Sequence, residues 1–222
     1  MPEVRQNILD DMTSVTSESW RTFRIMAEMV EALEKLNHLS MNCISIFGSA
    51  RATPDMQVYK DAEKIASMLV EKGFGIITGG GPGIMEAANK GASEAGGESV
   101  GLHIELPHEQ GCNAYVKTRC NFNYFFIRKF MFVKYAMAYV VMPGGMGTID
   151  ELSEAFVLAQ TQRIRPFPMI LYDGAYWSGL LDWLRGSMTE GGYISVEEVD
   201  RLLTVCNTPE EVVDHLCKIV IL

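Results

Sequence analysis

The stretch Ala138–Glu151 reads AYVVMPGGMGTIDE, and it indicates how the chain folds. Its first five residues are apolar and of strand length, Pro143 and the glycines suit a turn, and Thr148 with two acids opens a helical pattern. Glycine has no Cβ atom, so the backbone N–H groups of such a turn can approach an anion closely. The N-terminus of the following helix also favours negative charge. The sequence therefore predicts a strand–loop–helix unit with a phosphate-binding turn.

Two side chains of this unit, Thr148 and Glu151, are of types that bind a phosphate or take part in catalysis. Thr148 stands where a helix N-cap is expected, so its hydroxyl caps the helix or turns to a bound phosphate. Glu151 is expected in the first helical turn, aimed at the same crevice. A phosphate site beside a carboxylate favours chemistry on a nucleotide or a sugar phosphate.

Composition and charge limit the class of protein. A chain of 222 residues that is 48% hydrophobic is long enough to form one α/β domain with a full core. The formal net charge of −9 argues against a general nucleic-acid binder, although helix termini and single arginines still attract small anions. The five cysteines form no C-x-x-C pair, and the chain has neither a signal peptide nor a membrane-spanning apolar stretch. We therefore expect a cytoplasmic protein with reduced thiols and no membrane partner.

Strand and helix patterns alternate along the chain with short connections, which is typical of a doubly wound parallel sheet. The predicted strands cover 43–47, 74–78, 99–104, 116–120, 138–142, 168–172 and 203–206. The predicted helices cover 57–72, 84–95, 125–136, the segment from the Thr148 turn to 162, 176–188 and 209–219. Residues 41–222 are thus expected to form one α/β domain with helices on both faces. Residues 1–40 form an N-terminal extension, whose amphipathic helix over 17–37 should pack on the domain or on a second subunit.

Three turns of small residues follow predicted strands: Gly48–Ala50, Gly79–Gly83 and Gly144–Thr148. In doubly wound sheets, ligands bind outside the carboxyl ends of the strands, near the point where the strand order reverses. One such turn is weak evidence, but three that converge on one crevice indicate a binding site. Gly79–Gly83 does not match G-x-G-x-x-G, and the chain has no G-x-x-x-x-G-K-[ST]. Dinucleotide redox chemistry and triphosphate hydrolysis are therefore disfavoured.

Arg128 and Lys129 lie in an otherwise apolar and aromatic segment, residues 123–133. A buried guanidinium is costly unless it meets an anion, so Arg128 could bind a phosphate or ribose hydroxyls through its planar fork. Alternatively, the side chain extends to solvent or pairs with a structural acid. The dipeptide alone does not decide between these interpretations.

Together, these motifs resemble the LONELY GUY (LOG) family, cytokinin-activating nucleoside 5′-monophosphate phosphoribohydrolases formerly described as possible lysine decarboxylases. The family's P-G-G-x-G-T-x-x-E is present as Pro143–Glu151, and its glycine-rich loop as Gly79–Met85. Its Arg-Lys pair is present as Arg128-Lys129. The N-terminal extension and the aromatic segment Tyr124–Ile127 resemble the longer bacterial branch of the family.

The resemblance implies a Rossmann-like fold and hydrolysis of the N-glycosidic bond of a nucleoside 5′-monophosphate, a cytokinin riboside or AMP-like. The products would be a free base and ribose 5-phosphate. It also implies a cytosolic homodimer or larger assembly, with no metal and no organic cofactor, and catalytic roles for Arg128 and Glu151. The ligand-binding residues that it implies are Gly48, Ser49, Gly80, Gly81, Gly83, Met85, Glu109, Lys129, Gly144, Gly145, Met146, Gly147 and Thr148.

The implied chemistry agrees with the residue types. Cleavage of an N-glycosidic bond passes through an oxocarbenium-like sugar, so negative charge and a positioned water are needed near C1′. We expect Glu151 to be held ionised by the helix N-terminus and by Arg128, and to stabilise that cation or orient the water.

Two other functions and a metal site fit the sequence less well. The expected fold and the glycine loops also resemble those of molybdenum cofactor carrier proteins, so a non-catalytic carrier of a nucleotide or of that cofactor is the alternative. Such a carrier does not require Arg128 and Glu151, whose presence favours the enzyme. A lysine decarboxylase would need a Schiff-base lysine and a pyridoxal phosphate pocket, and nothing in the sequence marks such a lysine. A metal site is disfavoured because its candidate ligands have no recognised spacing; they are His103, Glu105, His108 and Glu109.

Overall fold

The computed structural model describes residues 15–105, 111–164 and 167–220. Within them, seven parallel strands form one sheet in the order β4-β3-β2-β1-β5-β6-β7. The strands are β1 (Cys43–Phe47), β2 (Gly75–Thr78), β3 (Ser99–Ile104), β4 (Thr118–Phe122), β5 (Ala136–Val141), β6 (Met169–Tyr172) and β7 (Leu203–Cys206).

Helices cover both faces of the sheet, which confirms the predicted doubly wound α/β fold. Along β1, Ile44 and Ile46 face one layer of the core, whereas Cys43 and Phe47 face the other. Burial on both faces explains why the central strands are almost continuously apolar. The helices are α1 (Val15–Asn37), α2 (Gln57–Glu71), α3 (Ile84–Glu94), α4 (Phe125–Tyr135), α5 (Met146–Gln160), α6 (Gly174–Trp183), α7 (Val196–Leu202) and α8 (Pro209–Ile219).

The order of the strands reverses between β1 and β5. From β1 the chain builds β2, β3 and β4 on one side, and then returns to place β5, β6 and β7 on the other. The connections that leave β1 and β5 therefore diverge and open a crevice at the carboxyl ends of these two strands. This switch point is where the sequence predicts the binding site.

Helix α1 packs on the domain, one of the two arrangements that the sequence predicts for it. Ala32 and Leu36 are buried in the core, and the Glu28 carboxylate accepts hydrogen bonds from the backbone and side-chain amides of Asn123. Trp20 and Phe23, on the same helix, are exposed.

Every predicted strand is present, with ends within two residues of the predicted ones. The largest difference concerns β4, which lies two residues later than predicted because its pairing with β3 begins at Val100–Thr118 and ends at Ile104–Phe122. The sequence missed α7, a short polar helix that begins with a capping box between Ser195 and Glu198. The helix predicted over 176–188 ends as α6 at Trp183 and continues as the π-helical segment Leu184–Met188.

Candidate functional site

A cavity of about 580 Å³ lies at the switch point, between the carboxyl ends of β1 and β5. Residues from the β1 loop, from α3, from α4 and from the first turns of α5 surround it. They are Phe47, Gly48, Ser49, Ala50, Arg51, Met85, Phe125, Arg128, Gly145, Met146, Gly147, Thr148, Asp150 and Glu151.

Backbone hydrogen bonds hold the three predicted turns together. The Ser49 N–H donates to the Pro143 carbonyl at 3.0 Å, and the Ile84 N–H donates to the Ser49 carbonyl at 3.0 Å. Ser49 is thus the link between the loop after β5 and the loop after β2. The predicted convergence of the three glycine turns is present in the structure.

The first turn of α5 opens onto the cavity. Gly145 is the N-cap, no side chain caps the helix, and Gly145, Met146 and Gly147 are all exposed. Because the first N–H groups of an α-helix have no acceptor within the helix, those of Met146 and Gly147 are available to a ligand. The helix dipole adds partial positive charge at this end, so the site is suited to an anion such as phosphate.

Thr148 does not cap this helix, so the predicted capping role is wrong. The helix begins two residues earlier, at Met146, and Thr148 is its third residue, only 5% exposed. Its Oγ1 fills the space that a Cβ atom on Gly144 would occupy, which explains why residue 144 has no side chain. Thr148 therefore packs against Gly144 in the loop after β5 and also lines the cavity.

Glu151 lies one turn further along α5 than predicted, in the second turn and three residues after Thr148. It is a carboxylate that lines the cavity and yet is only 7% exposed. Burial raises its pKa above the usual 4.5, while Arg128 and Lys129 act in the opposite direction. The expected effect of Arg128 on Glu151 is therefore present, but the desolvation of a charge in a nearly closed site outweighs both cations, so the net shift of the pKa is upward.

Arg128 reaches the cavity from α4 and is held in place by its surroundings. Its Nε donates to the Leu102 carbonyl at 2.9 Å, and its guanidinium carbon lies 5.3 Å from the centre of the Phe132 ring. On another side it lies against the backbone of Gly79. The guanidinium is thus half-buried beside Glu151 rather than extended into solvent, with its fork at the cavity wall.

Lys129 is directed away from the cavity, although it is adjacent to Arg128 in sequence. Its Nζ lies 2.9 Å from an Asp150 oxygen and 3.1 Å from a Glu154 oxygen. Successive residues of a helix are about 100° apart around its axis, so neighbours need not share a site. Lys129 holds α4 against α5 and acts on Glu151 through its charge.

The second glycine loop lies behind the cavity wall. Gly80, Gly81 and Gly83 are buried and do not belong to the cavity lining, whereas Met85, at the start of α3, does. Gly83 has a φ of +70°, and a Cβ atom there would run into the backbone of Ser49. Gly48 is similarly close to Ile84, where an added Cβ would lie 2.6 Å from the side chain.

Several lining residues were not among those predicted from the sequence: Phe47, Ala50, Arg51, Phe125 and Asp150. Their places in the sequence could have identified two of them, because Arg51 follows the first small-residue turn and Phe125 lies one helical turn before Arg128.

Glu109, a predicted ligand contact, lies outside the described residues, as does His108. In the parts of the chain that are described, no three His, Cys, Asp or Glu side chains form a group that would hold a metal ion. None of the described helices has the length and apolar character to cross a membrane.

Sequence comparison places these residues in a family. Residues 85–216, more than half of the chain, match the model of the family described as "possible lysine decarboxylase". A cytokinin riboside 5′-monophosphate phosphoribohydrolase of Mycobacterium marinum is 26% identical, with 71% of this chain and 85% of that protein covered. A probable enzyme of the same description from Oryza sativa subsp. japonica is 28% identical, with 71% of this chain and 63% of that protein covered. An uncharacterised protein of Archaeoglobus fulgidus is 30% identical, with 59% and 83% covered.

Solved structures share the fold. The molybdenum cofactor binding protein of Rippkaea orientalis superposes with a TM-score of 0.57 at 20% identity, with 80% of this chain and 96% of that chain covered. The molybdenum cofactor carrier protein of Chlamydomonas reinhardtii gives 0.54 at 20% identity, with 80% and 97% covered. These likenesses concern the fold alone, whereas the family model and the named relatives concern the sequence. The chain therefore belongs to the LOG family, whose sequence model is described as possible lysine decarboxylase.

Proposed function

We propose that this protein hydrolyses the N-glycosidic bond of a nucleoside 5′-monophosphate, of the cytokinin riboside or AMP type. The products are a free base and ribose 5-phosphate. One observation carries the proposal: a buried carboxylate, Glu151, and a fixed guanidinium, Arg128, line the same cavity as an open helix N-terminus. The descriptions of the named relatives support it.

The phosphate is assigned to the first turn of α5. Gly145 and Gly147 are exposed, and a Cβ atom on either would meet nothing within 4 Å. A phosphate oxygen can therefore approach the N–H groups of Met146 and Gly147 without obstruction. Gly48, Ser49 and Thr148 complete this end of the cavity.

Glu151 is assigned to the sugar carbon. As the C1′–N bond breaks, positive charge develops on the ribose ring, and a carboxylate in a nearly closed site stabilises that charge strongly. A water molecule adds to C1′, loses a proton and becomes the new hydroxyl, while the departing base takes up a proton. Glu151 orients this water or stabilises the cation, and Arg128 orients the ribose or the phosphate.

Burial of Glu151 favours the transition state over the free enzyme. The raised pKa means that the carboxylate is less stable in the free site than it would be in water, because it has lost water without gaining full compensation. A cationic ribose supplies the missing partner only as the bond breaks. An interaction that is stronger in the transition state than in the ground state accelerates the reaction.

The alternative is a carrier that binds a nucleotide or a phosphorylated cofactor without cleaving it. The likeness to the molybdenum cofactor carrier proteins favours this function at the level of the fold. A carrier needs the open first turn of α5 but has no need of a buried carboxylate beside it. We therefore place the carrier second.

A homodimer or larger assembly in the cytoplasm completes the proposal, with residues 1–40 as an extension of the domain over 41–222. Support for the assembly comes from apolar side chains that α1 and α4 leave exposed, among them Trp20, Phe23, Phe126 and Phe130. Apolar side chains grouped on a surface are typical of protein–protein contacts. Five free cysteines are in keeping with a reducing compartment.

Incubation with a panel of nucleoside 5′-monophosphates and the matching nucleosides tests the function, with free base and ribose 5-phosphate measured by chromatography. We expect cleavage of one or more monophosphates and little cleavage of the nucleosides. Glu151→Gln should lower the rate by about 100- to 10,000-fold. Glu71→Gln is the control, an exposed acid on α2 that does not line the cavity, and should change the rate by less than about threefold. Binding without cleavage by the wild type, with the same affinity in Glu151→Gln, would establish the carrier instead.

A further inference from the structure

A buried polar network lies directly behind the second glycine loop. It joins Thr78 at the end of β2, Asn89 on α3 and Ser99 at the start of β3, each of which is 0% exposed. The Thr78 hydroxyl donates to Asn89 Oδ1 at 2.6 Å and accepts from the Gly80 N–H at 2.9 Å. Asn89 Nδ2 donates to Ser99 Oγ at 3.0 Å.

Asn113 extends this network to the other side of the loop. Its backbone N–H donates to the Gly80 carbonyl at 2.8 Å, and its Nδ2 donates to the Gly81 carbonyl at 3.0 Å. The same Nδ2 lies 3.0 Å from Asn89 Oδ1, so one amide group ties the loop to the buried network. Two side chains and the Asn113 backbone N–H therefore fix three backbone polar groups of two consecutive glycines, residues that have little conformational preference of their own.

The fixed loop forms one wall of the space occupied by Arg128. A Cβ atom on Gly79 would lie 2.6 Å from Arg128 Nη2 and 2.8 Å from Met85 Sδ. The Leu102 carbonyl holds the Nε of the same guanidinium at 2.9 Å. Leu102 fixes the guanidinium at one side and the loop limits it at another, so a shift of the loop changes where the two terminal nitrogens lie.

We propose that Thr78, Asn89 and Asn113 are positioning residues that set the geometry of Arg128 through the backbone of Gly79–Gly81. None of the three belongs to the cavity lining formed by the described residues, so they act on a ligand only through other groups. The role in catalysis rests on the function proposed above, whereas the positioning of Arg128 also applies to a site that only binds. Displacement of a catalytic group by about 1 Å is enough to lower a rate about 100-fold.

Two substitutions at one residue separate this role from simple stability. Thr78→Val keeps the shape of the side chain but removes the hydroxyl, which leaves the Gly80 N–H and Asn89 Oδ1 without this partner. Thr78→Ser keeps the hydroxyl. We expect Thr78→Val to lower kcat for base release by about 10- to 100-fold per folded molecule, with little change in KM, and Thr78→Ser to restore most of it. Asn113→Ala, in a partly buried loop, should act in the same direction if Thr78→Val folds poorly.

Ser45→Ala is the control for the loss of a buried hydroxyl. Ser45 is 0% exposed on β1, and its Oγ has no hydrogen-bond partner among the described residues. This variant should leave kcat and KM unchanged. An equal loss of kcat in Thr78→Val and Thr78→Ser, or a loss that follows only the folded fraction, would overturn the proposal.

A double-mutant cycle with Arg128→Ala shows whether the effect of Thr78→Val on kcat passes through Arg128. If Thr78 acts through Arg128, Thr78→Val should cause no further loss once Arg128 is absent. The same cycle, measured as affinity for ribose 5-phosphate, separates the two proposals. If the wild type cleaves no monophosphate, the proposed function fails, and non-additive affinities still support the positioning role. Additive losses in both measurements overturn the positioning role, and a wild type that neither cleaves a monophosphate nor binds ribose 5-phosphate overturns both proposals.

Discussion

The loop after β5 and the loop after β2 are both rich in glycine, yet their glycines have opposite surroundings. In the open loop, Gly144–Gly147, Cβ atoms added to Gly145 and Gly147 would meet nothing within 4 Å. In the packed loop, Gly79–Gly83, a Cβ on Gly80 would lie 2.9 Å from Cys112 Sγ, and one on Gly83 would run into the Ser49 backbone.

The difference shows that glycine serves two purposes at this site. The open loop uses it to keep backbone N–H groups accessible to a ligand, and the packed loop uses it to let other parts of the protein come close. Gly144 combines both environments, because Thr148 Oγ1 fills the space beside it while its neighbours remain exposed. A substitution should therefore affect ligand binding in one loop and folding or the position of Arg128 in the other.

Gly83→Ala should have the largest effect, on stability. At a φ of +70°, a side chain is strained by about 1–2 kcal/mol, and the clash with the Ser49 backbone adds about 1–3 kcal/mol. Gly96→Ala is the matched control, since Gly96 has a φ of +83° but nothing within 4 Å of an added Cβ. Denaturant unfolding should give a loss of about 2–5 kcal/mol for the first variant and about 1–2 kcal/mol for the second. Equal losses would show that the loop is not packed as described.

Gly79→Ala should affect activity more than stability. The new methyl group would meet the ends of two side chains, Arg128 and Met85, which are able to move away. The fold should therefore tolerate the change, while the displaced guanidinium lowers the rate of base release by about 100-fold. Parallel measurement of kcat and of the unfolding midpoint checks this. Full activity in a stable variant would contradict the contact between the packed loop and Arg128.

Gly147→Ala should have opposite effects on stability and on binding. Alanine in a helix is favoured over glycine by up to about 1 kcal/mol, and the added methyl group meets no protein atom within 4 Å. The same methyl group occupies space beside the exposed N–H groups, so affinity for a monophosphate should fall by about tenfold. Calorimetric titration and thermal unfolding measure the two effects. Gly186→Ala, which also has open space but lies outside the cavity, should leave affinity unchanged.

The smallest effect concerns how the free energy of unfolding depends on pH through Glu151, which follows the open loop on α5. The folded-state pKa of Glu151 is raised above 4.5, mainly by burial, so the folded protein retains a proton that the unfolded chain releases. The free energy of unfolding should therefore fall as pH rises from the unfolded-state pKa through the folded-state pKa. Glu151→Gln removes this dependence and should be more stable than the wild type at neutral pH, but not near pH 4. A wild type that is the more stable of the two at pH 7 would contradict the burial of an uncompensated charge.

The sequence predicted the sheet, its flanking helices and the convergence of the three turns, because buried parallel strands are apolar and the turns between elements are short. It also predicted Arg128 and Glu151 at the site. It did not predict that α5 begins at Met146, since two glycines near the start of a helix obscure its first turn. It also did not separate Arg128 from Lys129, because their directions depend on how α4 is rotated against the sheet.

The sequence did not show which of the two glycine loops is open and which is packed, for a related reason. Whether a glycine is open or packed depends on residues far away in the chain, such as Cys112 beside Gly80 and the Ser49 backbone beside Gly83, whereas an added Cβ on Gly145 or Gly147 would meet no such neighbour within 4 Å. The charge state of Glu151 likewise depends on how deeply α5 buries it, and local sequence does not report that depth.

Amide chemical shifts test most directly the claim that the phosphate binds at the open loop and not at the packed loop. Glu151→Gln, which should consume the ligand only slowly, is titrated with AMP and observed by ¹⁵N-resolved NMR. The account predicts large shifts for the N–H groups of Met146 and Gly147. It predicts small shifts for Gly80, whose N–H already donates to the Thr78 hydroxyl. Large shifts at Gly80 and Gly81, with Met146 and Gly147 unchanged, would contradict it.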